Sequence, residues 1–248
     1  MRLDKALVER GLARSRGQAG EVVRGGHVTV NGRPATRPAQ EVAASDRLVV
    51  EAADHYVSRA AHKLAGALAA SGVVVPARVL DAGASTGGFT QVLLEHGAET
   101  VYAVDVGHDQ LAAAVRSDPR VVVRERLNLR ELTLADLDAE PVDLVVGDVS
   151  FISLTLLLER LFSVLTPAGE ALLLVKPQFE VGRGRLDDRG VVRDPALQDR
   201  AVDAVVEEAA RLGRVEAWRG ESGLPGESGN REWFVHFTTQ DAAVGGPG

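Results

Sequence analysis

A glycine-rich turn between two short apolar strands constrains the fold of this chain more than any other feature. Residues 79–90 read V-L-D-A-G-A-S-T-G-G-F-T, and residues 101–106 read V-Y-A-V-D-V. The glycines lack a Cβ, so the backbone of the turn can pass close to a bound ligand. Asp105, at the end of the second strand, is placed to accept hydrogen bonds from ribose hydroxyls. The pattern therefore predicts an adenosine-containing ligand across the two strands.

Three known patterns fit this turn in part. The dinucleotide fingerprint G-x-G-x-x-G is nearly met by Gly83, Ser85 and Gly88, but serine replaces the glycine that admits a pyrophosphate. The hydrolase elbow G-x-S-x-G is met by Gly83, Ser85 and Gly87, although His236 is the only late histidine available to it. The third pattern, D-x-G-x-x-x-G-G with an acid after the next strand, resembles the S-adenosylmethionine (SAM) loop of class I methyltransferases. We favour this resemblance over a dehydrogenase, a hydrolase or a purely structural turn.

Composition narrows the class of protein. The chain contains no cysteine, which excludes disulfides, thiolate metal sites and cysteine nucleophiles. No apolar run approaches 18 residues, and the N-terminal M-R-L-D-K lacks a signal-peptide core. We therefore expect a cytoplasmic protein that does not enter a membrane.

The charge of the chain is unevenly distributed. Residues 1–50 contain nine Lys and Arg against five Asp and Glu, whereas the remainder contains 19 against 30. A basic segment on an acidic body favours contact between that segment and a polyanion such as RNA. The candidate RNA-binding side chains lie mostly off the predicted apolar stripes: Arg2, Lys5, Arg14, Arg16 and Arg24.

The basic segment has a readable local structure. An apolar stripe from Leu3 to Leu12 predicts a first helix, and Ser15 with Gln18 predicts the capped start of a second. Alternating H-V-T-V before Asn31-Gly32 predicts a hairpin, and residues 48–50 supply a closing strand. Two helices followed by a small sheet resemble the RNA-binding fold of ribosomal protein S4 and the pseudouridine synthases. The alternative is a small helical cap with a charged exterior.

Strands and helices alternate through the rest of the chain. A helix is predicted from Ser58, another from Leu154 to Leu165, and a long one from Asp194-Pro195 to Leu212. R-V-E-A-W and R-E-W-F-V-H-F-T-T predict a final antiparallel pair. The remaining strands fall near 78–82, 100–105, 120–125, 142–148 and 170–176. This order predicts an α/β protein whose parallel sheet is completed by a reversed strand pair.

Charged residues stand at strand ends where apolar neighbours do not account for them. Asp148 follows V-D-L-V-V-G, Lys176 follows A-L-L-L-V, and Glu232 precedes the last strand. Lys63 lies on the helix before the first strand, which packs beside the same edge in this fold. Because open α/β sheets bind ligands at the carboxyl ends of their strands, these four residues form a candidate catalytic tetrad. The alternative is four unrelated surface charges.

The tetrad suits methylation of a hydroxyl. A sugar hydroxyl becomes a good nucleophile as its proton leaves, and burial beside a second cation favours the neutral form of a lysine base. We assign Lys176 as the base, Lys63 as the neighbouring cation that positions the ribose, and Asp148 and Glu232 as orienting anions. The D-V-S-F segment argues against base nitrogens as targets, since amino-methylating enzymes typically carry Asn/Asp-Pro-Pro-aromatic there. No metal-spaced cluster is visible, so no metal is expected.

Together these motifs resemble the TlyA family of ribosomal RNA 2′-O-methyltransferases, also labelled haemolysin A, whose catalytic domain is akin to FtsJ. V-S-R-A-A-H-K-L, D-V-S-F-I-S-L, V-K-P-Q-F-E-V-G and G-N-R-E-W-F add to the glycine turn, so the resemblance covers nearly the whole chain. It implies a small N-terminal α+β RNA-binding domain at 1–50 and a linker at 51–57. It further implies a class I SAM-dependent methyltransferase domain of Rossmann-like fold at 58–240, and a flexible tail at 241–248.

The resemblance also implies a reaction. Family members methylate the ribose of cytidine in 16S and 23S rRNA, some in one subunit only, so ribosomal RNA is the expected partner and SAM the expected cofactor. Cofactor contacts are implied for Asp81, Gly83, Ser85, Thr86, Gly87, Gly88, Phe89, Asp105, Asn128 and Asp148. The alternatives are a ribosome-assembly protein with an inactive SAM-binding domain and, least favoured, a membrane-active haemolysin.

Overall fold

A computed structural model of the chain describes residues 1–13, 15–50 and 55–240, without the side chains of Glu21 and Arg183. The chain divides into two compact units, Met1–His55 and Tyr56–Gly248. Three parts of the sequence predictions lie outside the described residues: Arg14, positions 51–54 of the linker, and the tail at 241–248.

The first unit packs two helices on a small antiparallel sheet. Its elements are α1 (Leu3–Glu9), α2 (Arg16–Arg24), β1 (Val28–Val30), β2 (Arg33–Pro34) and β3 (Leu48–Val50), with strand order β2-β1-β3. Asn31 and Gly32 both have positive φ, 53° and 78°, which gives the β1–β2 hairpin a turn that matches strand twist. The Ser15 hydroxyl accepts a hydrogen bond from the backbone N–H of Gln18, as predicted. Helix α1 ends at Glu9, whereas the predicted apolar stripe continues to Leu12.

The second unit contains a seven-stranded sheet with strand order β6-β5-β4-β7-β8-β10-β9. Strand β10 is antiparallel to β8 and β9, and the other neighbours are parallel. The strands are β4 (Arg78–Ala82), β5 (Thr100–Asp105), β6 (Val121–Glu125), β7 (Val142–Gly147), β8 (Leu165–Val175), β9 (Arg214–Glu221) and β10 (Trp233–Thr239). The helices are α3 (Ala60–Ser71), α4 (Gly88–Glu95), α5 (Ala113–Arg116), α6 (Leu158–Ser163), α7 (Pro177–Glu180) and α8 (Pro195–Arg211).

Apolar side chains cover both faces of this sheet. Val79 packs with residues of α3 and α4 on one face, and Leu80 packs with residues of α6 and α8 on the other. Successive strand residues point to opposite faces, so two neighbouring apolar residues require two separate cores. The result is a three-layer arrangement of helices, sheet and helices.

The sequence predicts the α/β class and the reversed strand pair, and the structure confirms both. Asp194 caps α8 by accepting the N–H of Ala196, as Asp-Pro predicts. One predicted helix is wrong in extent, because residues 154–165 do not form a continuous helix. A 3-10 turn at Leu154–Leu156 precedes α6, and Leu165 already belongs to β8.

Candidate active site

The four tetrad residues line one cavity of about 960 Å³ in the second unit. Asp148 and Lys176 directly follow β7 and β8, whose parallel pairing brings their carboxyl ends together. Strand β10 runs the opposite way, and its first residue, Trp233, pairs with Val175 at the end of β8. This register places Glu232 at the same edge of the sheet as Lys176.

The tetrad consists of two ion pairs. Lys63 Nζ lies 2.6 Å from Glu232 Oε2, and their side chains are 8% and 2% exposed. Lys176 Nζ lies 2.5 Å from Asp148 Oδ1, and their side chains are 10% and 16% exposed. Charges this poorly hydrated are costly unless they are paired. The structure thus gives each lysine its own carboxylate, whereas the sequence prediction made Lys63 the cation beside Lys176.

Ser150 adds a contact that the sequence prediction missed. Lys176 Nζ donates a hydrogen bond of 2.7 Å to Ser150 Oγ, beside its contact with Asp148. A neutral lysine amine has two N–H groups and one lone pair. Ser150 accepts one of these N–H groups, while Asp148 Oδ1 lies 2.5 Å from Nζ as its ion-pair partner. The two contacts restrict the directions in which the lone pair of Lys176 can point.

The glycine turn approaches its neighbours too closely for larger residues. A Cβ on Gly83 would lie 3.0 Å from the carbonyl oxygen of Asp148, and Gly83 has a φ of +86°. A Cβ on Gly88 would lie 2.1 Å from Ser58 Oγ. Side chains at these points would push the turn away from β7 and α3. The glycines therefore set the depth of the cavity beside the turn.

The predicted cofactor residues separate into two groups. Six line the cavity with the tetrad: Gly83, Ser85, Thr86, Gly88, Phe89 and Asp148. Four do not line it: Asp81, Gly87, Asp105 and Asn128. Asn128 is exposed, and its side chain accepts the backbone N–H of Arg130. Phe89 is buried and stacks on Phe234, so its side chain also belongs to the core.

The side chain of Asp105 binds the backbone of the glycine turn. Its Oδ2 accepts the N–H of Ser85 at 2.8 Å, and its Oδ1 accepts the N–H of Gly107 at 2.7 Å. Ser85 has a φ of +46°, an uncommon conformation for a residue with a Cβ. Each carboxylate oxygen can accept two hydrogen bonds, so both oxygens of Asp105 can still accept hydrogen bonds from ribose hydroxyls.

Asp81 is fully buried at the end of β4. Its Oδ2 accepts the hydroxyl of Thr90 at 2.6 Å, and its Oδ1 has no hydrogen-bond partner among the described residues. Burial, assisted by the nearby Asp148 and Asp105 carboxylates, raises the pKa of Asp81 to about 7. The folded protein therefore binds this proton more tightly than the unfolded chain, whose aspartates titrate near roughly 3.9. The free energy of unfolding should fall as pH rises from about 4 to about 7.

Asp81→Asn should remove that pH dependence. We expect the variant to gain stability over the parent at pH 8, by up to about 4 kcal/mol, and to gain less, about 1–2 kcal/mol, at pH 5. Urea unfolding at both pH values measures the difference. Asp188→Asn, which changes an exposed aspartate, is the matched control and should alter neither value. Equal destabilisation of Asp81→Asn at both pH values would contradict the assignment of a neutral acid.

The predicted RNA-binding residues lie in the first unit. Arg2 and Arg16 both contact Asp4, and Lys5 lies 3.5 Å from Glu9. Arg24 is exposed at the end of α2. The sequence predicted these cations from their position off the apolar stripes, but it did not predict the shared contact with Asp4.

A hydrolase triad, a metal-binding cluster and a membrane-spanning helix are not found among the described residues. Ser85 bonds to Gln110, whereas His236 pairs with Glu170, so Ser85 and His236 form no hydrolase triad. Within residues 1–13, 15–50 and 55–240, no three His, Asp or Glu side chains are placed to hold a metal ion. No described helix has the length and apolar character needed to cross a membrane.

Comparison with known proteins agrees with this geometry. The FtsJ-like methyltransferase family matches residues 56–239, and the S4 domain family matches residues 1–48. The chain is 49% identical over its full length to the 16S/23S rRNA (cytidine-2′-O)-methyltransferase TlyA of Mycobacterium tuberculosis, and covers 93% of that protein. It is 38% identical to hemolysin A of Brachyspira hyodysenteriae, across 96% of this chain and 99% of that protein.

A solved structure shows the same fold. The protein from Streptococcus thermophilus, designated a hemolysin, has a TM-score of 0.74 and 36% identity to this chain. The match covers 97% of this chain and 89% of that one. With an S4 domain before its catalytic unit and full-length similarity to TlyA, the chain belongs to the FtsJ-like methyltransferase family.

Proposed function

We propose that this enzyme transfers a methyl group from SAM to the ribose 2′-hydroxyl of cytidine in 16S rRNA, 23S rRNA or both. The observation that carries the proposal is the pair of buried lysine–carboxylate contacts in the cavity that the glycine turn also lines. An rRNA target would place the reaction in the cytoplasm, where ribosomes are made.

The turn and α4 fit the methionine end of SAM. Helix α4 begins at Gly88 without a side-chain cap from Gly87, and N–H groups at a helix start attract a carboxylate. Asp105 ends the neighbouring strand β5 and would accept the ribose hydroxyls. When bound, SAM supplies a methyl group on a positively charged sulfur. The protein's task is to align a hydroxyl oxygen with that methyl group and to remove the hydroxyl proton.

The tetrad provides a route for that proton. Neutral Lys176, which donates a hydrogen bond to Ser150 and lies beside the Asp148 carboxylate, would accept it. Asp148 then stabilises the ammonium that forms, since an opposite charge at 2.5 Å favours the charged state. Lys63, held by Glu232, would donate hydrogen bonds that position the target ribose. As the methyl group passes to the hydroxyl oxygen, the hydroxyl proton would rest on Lys176 Nζ beside the Asp148 carboxylate.

The first unit would supply affinity for the ribosomal substrate. Its excess of cations favours contact with a polyanion, so binding should weaken as salt rises, because the release of counterions from the RNA then gains less free energy. The second unit has the opposite balance of charge. We therefore assign most of the electrostatic attraction for RNA to residues 1–50.

Transfer of tritium from labelled SAM tests the proposal. Purified 30S and 50S subunits are incubated separately with the protein, and the RNA is digested to nucleosides. We expect label in 2′-O-methylcytidine from at least one subunit. Label in a base-methylated nucleoside would contradict the proposed target atom. SAM and RNA binding without any transfer would indicate an assembly protein with an inactive domain.

A further inference from the structure

A buried carboxylate that has no part in the proposed catalysis lies near the start of the first unit. Asp4, in the first turn of α1, is 6% exposed. Arg2 contacts it through two nitrogens, with Nε 3.1 Å from Oδ1 and Nη2 2.8 Å from Oδ2. Arg16, the first residue of α2, places Nη2 3.0 Å from the same Oδ2. One carboxylate thus holds side chains from before α1 and from the start of α2.

Among the described residues, the cluster keeps a positive charge and has N–H donors that its contacts with Asp4 do not use. One carboxylate neutralises only one of the two guanidinium groups, so the three side chains together carry a net charge of about +1. The Arg2 and Arg16 side chains remain 50% and 59% exposed. Each guanidinium has five N–H groups, of which these contacts use two on Arg2 and one on Arg16. The Arg2 guanidinium holds the pKa of Asp4 well below its usual range, so this carboxylate stays ionised.

We propose that Asp4 is a positioning residue that fixes Arg2 and Arg16 as one site for an RNA phosphate. Two guanidinium groups repel each other when free, and each loses side-chain entropy when a phosphate orders it. The carboxylate between them offsets the repulsion and restricts both side chains before RNA arrives. Arginine forks match the oxygens of phosphate, which makes the RNA backbone the fitting ligand. This inference rests on the proposed RNA-binding role of the first unit.

Net charge and positioning predict opposite results for the same substitution. Asp4→Asn removes one negative charge from α1, and so does Glu9→Gln, whose partner Lys5 lies 3.5 Å away. If only charge mattered, both variants would bind RNA more tightly. If Asp4 positions the arginines, Asp4→Asn should weaken affinity by about tenfold, while Glu9→Gln should bind as tightly as the parent or tighter.

The experiment measures dissociation constants of the full chain for purified 16S and 23S rRNA. The proteins are the parent, Asp4→Asn, Glu9→Gln, Arg2→Ala/Arg16→Ala, and that double variant combined with Asp4→Asn. We expect Asp4→Asn to cause no further loss in the double variant, because its effect passes through the two arginines.

Two outcomes would overturn the positioning role. Tighter RNA binding by Asp4→Asn, equal to that of Glu9→Gln, would show that the carboxylate acts through charge alone. A further tenfold loss on adding Asp4→Asn to the double variant would show that it acts on folding of the unit. If Arg2→Ala/Arg16→Ala binds rRNA like the parent, the RNA-binding role of these arginines fails, and the inference fails with it.

Discussion

Lys176→Ala should lose methyl transfer to ribosomal RNA while it still folds and binds SAM and RNA. The substitution removes the group that takes the hydroxyl proton, and a general base contributes about 10² to 10⁴ in rate. Lys176→Arg should be almost as inactive, although it keeps the charge beside Asp148. A guanidinium retains its proton at any workable pH, so it cannot accept another. Single-turnover transfer of tritium from SAM to the modified subunit measures the loss.

A matched control separates catalysis from surface charge. Arg200→Ala removes an exposed cation from α8, outside the cavity, and should leave the rate unchanged. Calorimetry with SAM and filter binding with rRNA should give parent-like affinities for all three variants. Near-normal turnover by Lys176→Arg would contradict the general-base assignment. Lys176 would then be a positioning charge, and alignment alone would activate the hydroxyl.

The sequence predicts the strand ends that carry the site because their apolar runs are short and bounded. Asp148 and Lys176 interrupt continuous hydrophobic stretches, and a charge at such a point must lie at the end of a buried strand. The helix predicted at 154–165 is wrong at both ends, although α6 lies within it. Apolar spacing indicates the buried face of a helix but does not fix the residues at which the helix begins and ends. Leu165, predicted to end that helix, instead begins β8.

Pairings between distant side chains could not be predicted from the sequence. Which carboxylate meets Lys63 depends on the antiparallel register of β10, which brings Glu232 across a separation of 169 residues. The contact of Lys176 with Ser150 depends on the backbone after β7. Alternation along β4 puts Asp81 beneath α4 rather than in the cavity, so the acid of the glycine motif bonds to Thr90.

Glu232→Gln should destabilise the second unit by about 3–5 kcal/mol, the cost of leaving one member of a buried ion pair without its partner. Lys63 and Glu232 are 8% and 2% exposed and lie 2.6 Å apart, so water would replace the lost carboxylate poorly. The matched control is Glu221→Gln. Glu221 also lies 2.6 Å from its partner, Arg231, but these side chains are 44% and 51% exposed. Loss of an exposed pair changes stability by only about 0–1 kcal/mol.

The double variant Lys63→Met/Glu232→Gln distinguishes stability from function. Removal of both charges should recover most of the lost stability, because no uncompensated ion remains buried. It should not recover methyl transfer, since Lys63 would no longer donate to the ribose. Urea unfolding and tritium transfer on the same preparations give both quantities. If Glu232→Gln were no less stable than Glu221→Gln, water or another group must reach Lys63, and the pair would not be the closed contact that the structure shows. If the double variant were active, the Lys63–Glu232 pair would only support the fold, and Lys176 with Asp148 would carry the reaction alone.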